Sequence, residues 1–369
     1  MTLWRLRGGV PIVLALVGPS ACGPEVETEV WEGEHLQYRW ESTLQPCEGA
    51  AEYSDAFIPF AAAQLGLDAE GFGPLSFTLL SYEALQDFSP YTENNGGGGF
   101  ARLGDAYSSD QIHLHELAHI VVHEREVGGL RFFREGLAVA LSEGQVFRRY
   151  LESEGPSPRH ERVDPRPVFD ERRRDGSRVY PVGGAFTTYL LSRYGPERLL
   201  ELHEGLTATS SPERVGRVFE RVYGLNLDDE VDTYVNDDTC PEEATEHPQP
   251  YACTAPTIPW ESLDRWSDVR PFRCYADPDA AEDDEPVAWS SRTRTIEIPA
   301  DGLYRIHVFG DPRSNIHLFP CGRCPWLAQD THLTNGAEVI PLSAGLHAIA
   351  YSPALREPSV LGVTIEPVD

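Results

Sequence analysis

The stretch HLHELAHIVVH, residues 113–123, places four histidines and one glutamate close together in a chain that has 12 histidines in all. His115 and His119 are four residues apart, so on a helix they lie on one face, one turn apart, with their Cα atoms about 6 Å from each other. Their imidazoles can therefore converge on one metal ion, with Glu116 beside them. The spacing predicts a metal-binding helix that also carries a carboxylate next to the ion.

The pattern formed by His115, Glu116 and His119 is the HExxH signature of zinc peptidases, in which the glutamate acts on a zinc-activated water. Zinc needs a third protein ligand. His123 continues the same stripe, but histidines at i, i+4 and i+8 extend over about 12 Å of helix, too far for one ion with bonds of about 2 Å. We therefore expect His123 to take no part in binding. His113, two residues before His115, is expected to point away from the pair, and the third ligand to come from another segment.

The segment FFREGLAVALSEG offers Glu135 as the third ligand, with Glu124, Glu126 and Glu143 as competitors. HELAH followed by REGLA resembles the gluzincin clan of zinc metallopeptidases, in particular bacterial peptidases of the MA type. Their third ligand is the glutamate of a similar EGxA segment, on a helix packed against the HExxH helix. The resemblance implies that Glu135 completes the site.

A looser resemblance to the same peptidases lies in RVYPVGGAFTTYLLSRYGPERL, and the likeness as a whole covers roughly residues 35–235. It implies that the Tyr180 hydroxyl donates a hydrogen bond to the oxyanion formed in the reaction. The alternative interpretation is that Tyr180 only packs in the core. Four residues beyond Glu135, where several gluzincins carry an acid that supports a histidine, this chain has Val139. Whatever orients the two histidines must therefore come from elsewhere.

The charge of the chain limits its partners. It has 59 Asp and Glu against 30 Lys and Arg, a formal net charge of -29, so it would repel nucleic acid, and we exclude that class of partner. All the basic side chains are arginines, which excludes Schiff-base chemistry on lysine.

Residues 1–22 are predicted to be an export signal, because Arg5 and Arg7 precede the short apolar run GGVPIVLALVG. The run ends in PSAC, which resembles the lipobox of bacterial lipoproteins and implies acylation of Cys22, although Pro19 stands where that pattern prefers an aliphatic residue. We expect a lipoprotein of the cell envelope, at the outer membrane or the periplasmic face, with membrane contact only through the lipid on Cys22. Without lipidation the protein would be secreted.

Six cysteines remain after Cys22, an even number that predicts disulfide bonds in an exported chain. They are Cys47, Cys240, Cys253, Cys274, Cys321 and Cys324. Cys321 and Cys324, in CGRC, lie in a strand-rich region, which favours a structural bridge over a redox or zinc-binding pair.

The length of 369 residues and the order of patterns predict two domains and an α+β fold. A zincin-like metallopeptidase domain, with a small mixed β lobe and a helical lobe, is expected over residues 30–238. In its β lobe, FARLGDAY is predicted to be one strand. Residues 239–286, rich in Cys, Pro and acids, are predicted to be a linker. Alternating runs in residues 287–369 predict a small C-terminal β-sandwich.

These features predict a zinc-dependent peptidase, more an endopeptidase than an aminopeptidase. His115, His119 and Glu135 would bind one Zn²⁺ per chain, Glu116 would be the general base, and Tyr180 would stabilise the oxyanion. The expected partner is a protein or peptide substrate, paired with the strand FARLGDAY through main-chain hydrogen bonds. Two alternatives remain: a catalytically inactive zinc-binding lipoprotein, and a surface adhesin that uses the peptidase fold as a scaffold. The sequence leaves the oligomeric state open.

Overall fold

The structure is a computed structural model, which describes part of the chain. It comprises residues 27–46, 50–73, 75–88, 98–102, 104–123, 129–142, 163–169, 178–236, 256–260, 262, 264–272, 293–310, 312, 314–321, 331–352 and 359–368. The predicted signal with Cys22 lies outside these residues, as do Glu124, Glu126 and Glu143. None of the helices within the described ranges is long and apolar enough to cross a membrane.

A five-stranded mixed sheet begins the fold. Its strands are β1 (Thr28–Glu32), β2 (Leu36–Glu41), β3 (Leu75–Leu79), β4 (Gly99–Arg102) and β5 (Asp105–Ser108). They lie in the order β1-β2-β3-β5-β4, with β2, β3 and β5 parallel and the two outer strands antiparallel to their neighbours. FARLGDAY is not the single strand that its alternation predicts. Gly104 adopts a φ of +86°, at the point where the chain reverses between β4 and β5, and β4 forms one edge of the sheet.

The helices supply the other layer of this part. They are α1 (Ala50–Gln64), α2 (Tyr82–Phe88), α3 (Leu114–His123), α4 (Arg131–Ser142), α5 (Val179–Tyr194), α6 (Pro196–Gly205), α7 (Pro212–Tyr223) and α8 (Leu227–Asn236). The boundaries follow local signals: the Ser211 hydroxyl accepts from the backbone N–H of Arg214 to cap α7, and Gly224 ends α7 in the left-handed conformation. The apolar faces of sheet and helices share one core, in which Phe77 and Phe133 are fully buried.

Helices α4 and α5 cross at two glycines. A Cβ added to Gly136 would lie 2.6 Å from the carbonyl carbon and oxygen of Gly183 and 2.6 Å from Oγ1 of Thr187. A Cβ added to Gly183 would lie 2.8 Å from the carbonyl oxygen of Phe132. The two backbones are therefore in direct contact, and a side chain at either position would force them apart.

Two four-stranded antiparallel sheets form the C-terminal part. Their strands are β6 (Trp266–Phe272), β7 (Thr293–Ile298), β8 (Gly302–Gly310), β9 (Asn315–Pro320), β10 (Thr331–Thr334), β11 (Gly336–Leu342), β12 (Gly345–Ser352) and β13 (Ser359–Pro367). The sheet orders are β10-β9-β12-β7 and β11-β8-β13-β6. Inward side chains of both sheets, such as Ile349 and Val363, share one apolar core, as in a β-sandwich.

The structure adds a strand to the sandwich that the sequence pattern did not indicate. Strand β6 lies inside residues 239–286, the predicted linker, and it pairs with β13 while Trp266 is fully buried in the shared core. Cys321, after β9, is disulfide-bonded, and the other cysteines lie outside the described residues. The fold class is α+β, as the sequence predicts.

Candidate metal centre

Helix α3 presents its two histidines on one face. Leu117 and Val121 are fully buried in the core and fix the orientation of the helix. The rings of His115 and His119 are perpendicular, with centroids 4.7 Å apart, and their Nε2 atoms are 3.2 Å apart. Two nitrogen atoms that face each other at this distance can share one cation, which is the arrangement that the four-residue spacing predicts.

Glu135, on α4, completes the group. Its Oε2 lies 3.3 Å from Nε2 of His115 and 3.1 Å from Nε2 of His119. A tetrahedral zinc ion with bonds of about 2.0 Å separates its ligand atoms by about 3.3 Å, and the three observed separations match that value. Within the described residues, His115, His119 and Glu135 therefore form a buried group that could hold a metal ion. Of the four candidate glutamates, Glu135 is the one within the described residues, and it lies at the two histidines.

Glu135 is charged despite its burial. Burial by itself would raise the pKa of its carboxyl, but hydrogen bonds and charge interactions with His115 and His119 outweigh that effect and hold the pKa well below its ordinary value. A carboxyl must be ionised to bind a metal, so this environment suits a ligand.

Arg134 contacts the other oxygen of the same carboxylate. Its Nε and Nη2 both donate to Oε1 of Glu135, at 3.3 Å and 3.0 Å. The sequence motifs do not predict this residue, although a local signal marks it. Arg131 and Arg134 occupy the first turn of α4, whose N-terminal dipole favours acidic residues, and no acidic residue lies there.

Tyr180, near the start of α5, lies beside the histidines. Its ring centroid is 5.6 Å from that of His115. Burial raises the pKa of the Tyr180 hydroxyl, and the charges of Glu135 and Glu116 raise it further, while a hydrogen bond and the charge of Arg131 act in the opposite direction. The hydroxyl is therefore protonated at neutral pH and available as a hydrogen-bond donor.

Glu116 is buried and follows His115 directly on α3. Its charge raises the pKa of the Tyr180 hydroxyl and acts in the same direction on the pKa of the His113 ring. A buried carboxylate therefore follows His115 on α3, and the ring of Tyr180 lies beside the ring of His115.

The two remaining histidines of the stretch lie outside the group, as we expect from their spacing. His123 is exposed at the end of α3. The ring of His113 packs against Gly99 of β4, where a Cβ would collide with it. Burial lowers the pKa of His113 to about 4, so its ring is neutral at physiological pH.

Comparisons with known proteins give little further information. No protein-family model matches the chain, and no curated protein matches it. Among solved structures, PliG of Aeromonas hydrophila, a periplasmic inhibitor of g-type lysozyme, is 16% identical, covers 30% of this chain and 98% of its own, and has a TM-score of 0.21. The Salmonella Typhimurium PliG is 14% identical, covering 31% and 98%, with a TM-score of 0.19. Aminopeptidase A of Legionella pneumophila is 9% identical, covering 90% of this chain and 36% of its own, with a TM-score of 0.30. Similarities of this size do not establish a shared fold.

Proposed function

We propose that this protein is a zinc-dependent peptidase of the gluzincin type with a zincin-like catalytic domain. The observation that carries the proposal is the convergence of His115, His119 and Glu135, three ligand atoms 3.1 to 3.3 Å apart, beside the buried carboxylate of Glu116. HExxH and EGLA are separate in the sequence, and their meeting at one point is what a gluzincin site requires.

The donor set suits zinc among the divalent metals. Two imidazole nitrogens and one carboxylate oxygen are the ligands of catalytic zinc sites, which keep a further coordination position for water or substrate. When bound, zinc supplies Lewis acidity, which acidifies a water molecule and polarises the carbonyl group of the substrate.

Glu116 is the proton carrier of the proposed reaction. One oxygen of its carboxylate accepts a proton from the attacking water while the water oxygen bonds to the carbonyl carbon of the peptide. Glu116 then gives that proton to the amide nitrogen as the C–N bond breaks, so that a carboxylic acid and an amine leave. The hydroxyl of Tyr180 donates a hydrogen bond to the oxyanion between these two steps.

Strand β4 is the proposed docking edge for the substrate. It is one of the two edge strands of the five-stranded sheet, and it lies against α3, which carries the histidines. An extended peptide paired with β4 would make main-chain hydrogen bonds that require no particular side chains. This mode of binding suits an endopeptidase that acts on unfolded segments.

The proposed location is the cell envelope, with the chain anchored through a lipid on Cys22 or secreted if it is not acylated. The disulfide bond at Cys321 supports export, because structural disulfides form in oxidising compartments.

The test combines hydrolysis of an unfolded protein substrate with the zinc content of the purified protein. Glu116→Gln is expected to abolish hydrolysis while zinc stays at about one ion per chain, and Glu135→Ala to lose both. Glu204→Gln, on the exposed face of α6, is the matched control and should keep both. A wild-type protein that binds zinc but shows no chelator-sensitive hydrolysis would favour the inactive zinc-binding lipoprotein, and one without zinc would favour the adhesin.

A further inference from the structure

We propose that Arg134 is a positioning residue for the metal centre, holding the Glu135 carboxylate so that a single oxygen faces the two imidazoles. The inference concerns how the proposed site binds its ion, and it rests on the proposed metal site.

The two oxygens of Glu135 have separate partners. Oε2 is directed at Nε2 of His115 and of His119, whereas Oε1 accepts two N–H groups from one edge of the Arg134 guanidinium. A guanidinium presents its donors in a rigid fork, so contacts through both Nε and Nη2 restrict rotation of the carboxylate about its last side-chain bond. The orientation of Oε2 towards the histidines follows from that restriction.

Because Glu135 is buried, water cannot easily take the place of Arg134 as a hydrogen-bond donor to its carboxylate. The Glu135 side chain is only 8% exposed, so water has little access to its oxygens, whereas the Arg134 side chain is 49% exposed and reaches the carboxylate from the solvent side. On that side Oε1 accepts two hydrogen bonds from Arg134.

The pair also departs from ordinary helix chemistry. Neighbouring residues on a helix do not face each other, and the usual surface ion pairs are three or four residues apart. The cation also lies in the first turn of α4, where it opposes the helix dipole. Both features are unfavourable for Arg134, and its hydrogen bonds with Glu135 offset them. Such departures from local rules are typical of functional sites.

The consequence for metal binding is specific. Without the guanidinium fork of Arg134, Oε1 would be free to turn towards the ion, and the carboxylate would change from one-oxygen to two-oxygen coordination. Loss of a hydrogen-bond partner of a ligand typically weakens metal binding about 10- to 100-fold. We expect the zinc dissociation constant of Arg134→Gln to rise by that factor.

The experiment is competition for zinc with a chromophoric chelator, applied to the wild type, Arg134→Gln, Arg134→Lys and Arg217→Gln. Arg217 is exposed on α7, so its variant removes the same charge and should keep the wild-type affinity. Arg134→Lys keeps the charge but lacks the fork, and we expect an intermediate affinity. In the cobalt-substituted protein, the visible absorption of Arg134→Gln should weaken as the coordination number rises, whereas a purely structural role would leave the spectrum unchanged.

An Arg134→Gln protein with wild-type zinc affinity and an unchanged cobalt spectrum would overturn the inference, as would a wild-type protein that binds no zinc. A weakened affinity in a protein without hydrolytic activity would uphold it while rejecting the peptidase proposal. The two proposals can therefore fail separately.

Discussion

The contact between Gly136 and Gly183 gives a quantitative test of how α4 is placed. An alanine Cβ at Gly136 would lie 2.6 Å from the Gly183 carbonyl group, whereas non-bonded carbon atoms prefer about 3.5 to 4.0 Å, so the helices must separate by about 1 Å. The atoms in the way are backbone atoms and the Thr187 hydroxyl, and the backbone cannot rotate aside. Gly136→Ala should therefore destabilise the protein.

Two opposing effects set the size of that loss. Overpacking costs about 1 to 3 kcal/mol, while alanine is favoured over glycine inside a helix by about 1 kcal/mol. Gly216, in α7, has nothing within 4 Å of its added Cβ, so Gly216→Ala gains the higher helix propensity of alanine without a steric clash. The difference in unfolding free energy between the two variants then isolates the steric cost, about 2 kcal/mol, or about 4 to 8 °C in melting temperature.

Thermal unfolding and zinc affinity of both variants check this reasoning. A shift of about 1 Å at α4 exceeds the tolerance of about 0.2 Å in metal-ligand distances, so Gly136→Ala should also bind zinc more weakly. Equal melting temperatures for Gly136→Ala and Gly216→Ala would refute the close contact of the two helices.

Two further predictions concern Tyr180 and His203. Tyr180→Phe keeps the ring beside His115 but removes the donor, so kcat should fall about 100-fold with zinc content unchanged, and an unchanged kcat would identify a packing tyrosine. The His203 side chain, in α6, is fully buried, and neither ring nitrogen has a hydrogen-bond partner in the described residues. Burial, with the charge of Arg134, lowers the pKa of this ring from 6.5 to about 4. Because the unfolded chain takes up the proton first, the stability from neutral His203 is lost as pH falls from about 6.5 to about 4. Between pH 7 and pH 5, the free energy of unfolding in urea should fall by on the order of 2 kcal/mol more for the wild type than for His203→Leu. Equal decreases for the two proteins would contradict the lowered pKa of His203.

Local patterns predicted much of the fold. The spacing of the histidines was sufficient for α3, and the alternating runs of residues 287–369 were sufficient for a C-terminal β part, because helix and strand periodicities depend on near neighbours. Because such patterns report only on near neighbours, they also led to two wrong predictions for strands. FARLGDAY alternates throughout, and only the turn at Gly104 divides it, while β6 is recognisable as a strand only through its pairing with β13.

The candidate site divides in the same way. The sequence by itself determined that His115 and His119 share a face and that Glu116 lies beside them, since a four-residue spacing on a helix fixes those relations. It offered Glu135 through a family resemblance, but only the tertiary structure brought Glu135 Oε2 within 3.3 Å of both imidazoles. That distance depends on how α4 packs among its neighbours, including the bare backbones of Gly136 and Gly183. The contact of Arg134 with the Glu135 carboxylate likewise came only from the structure, because the direction of a long side chain depends on which buried group it can reach.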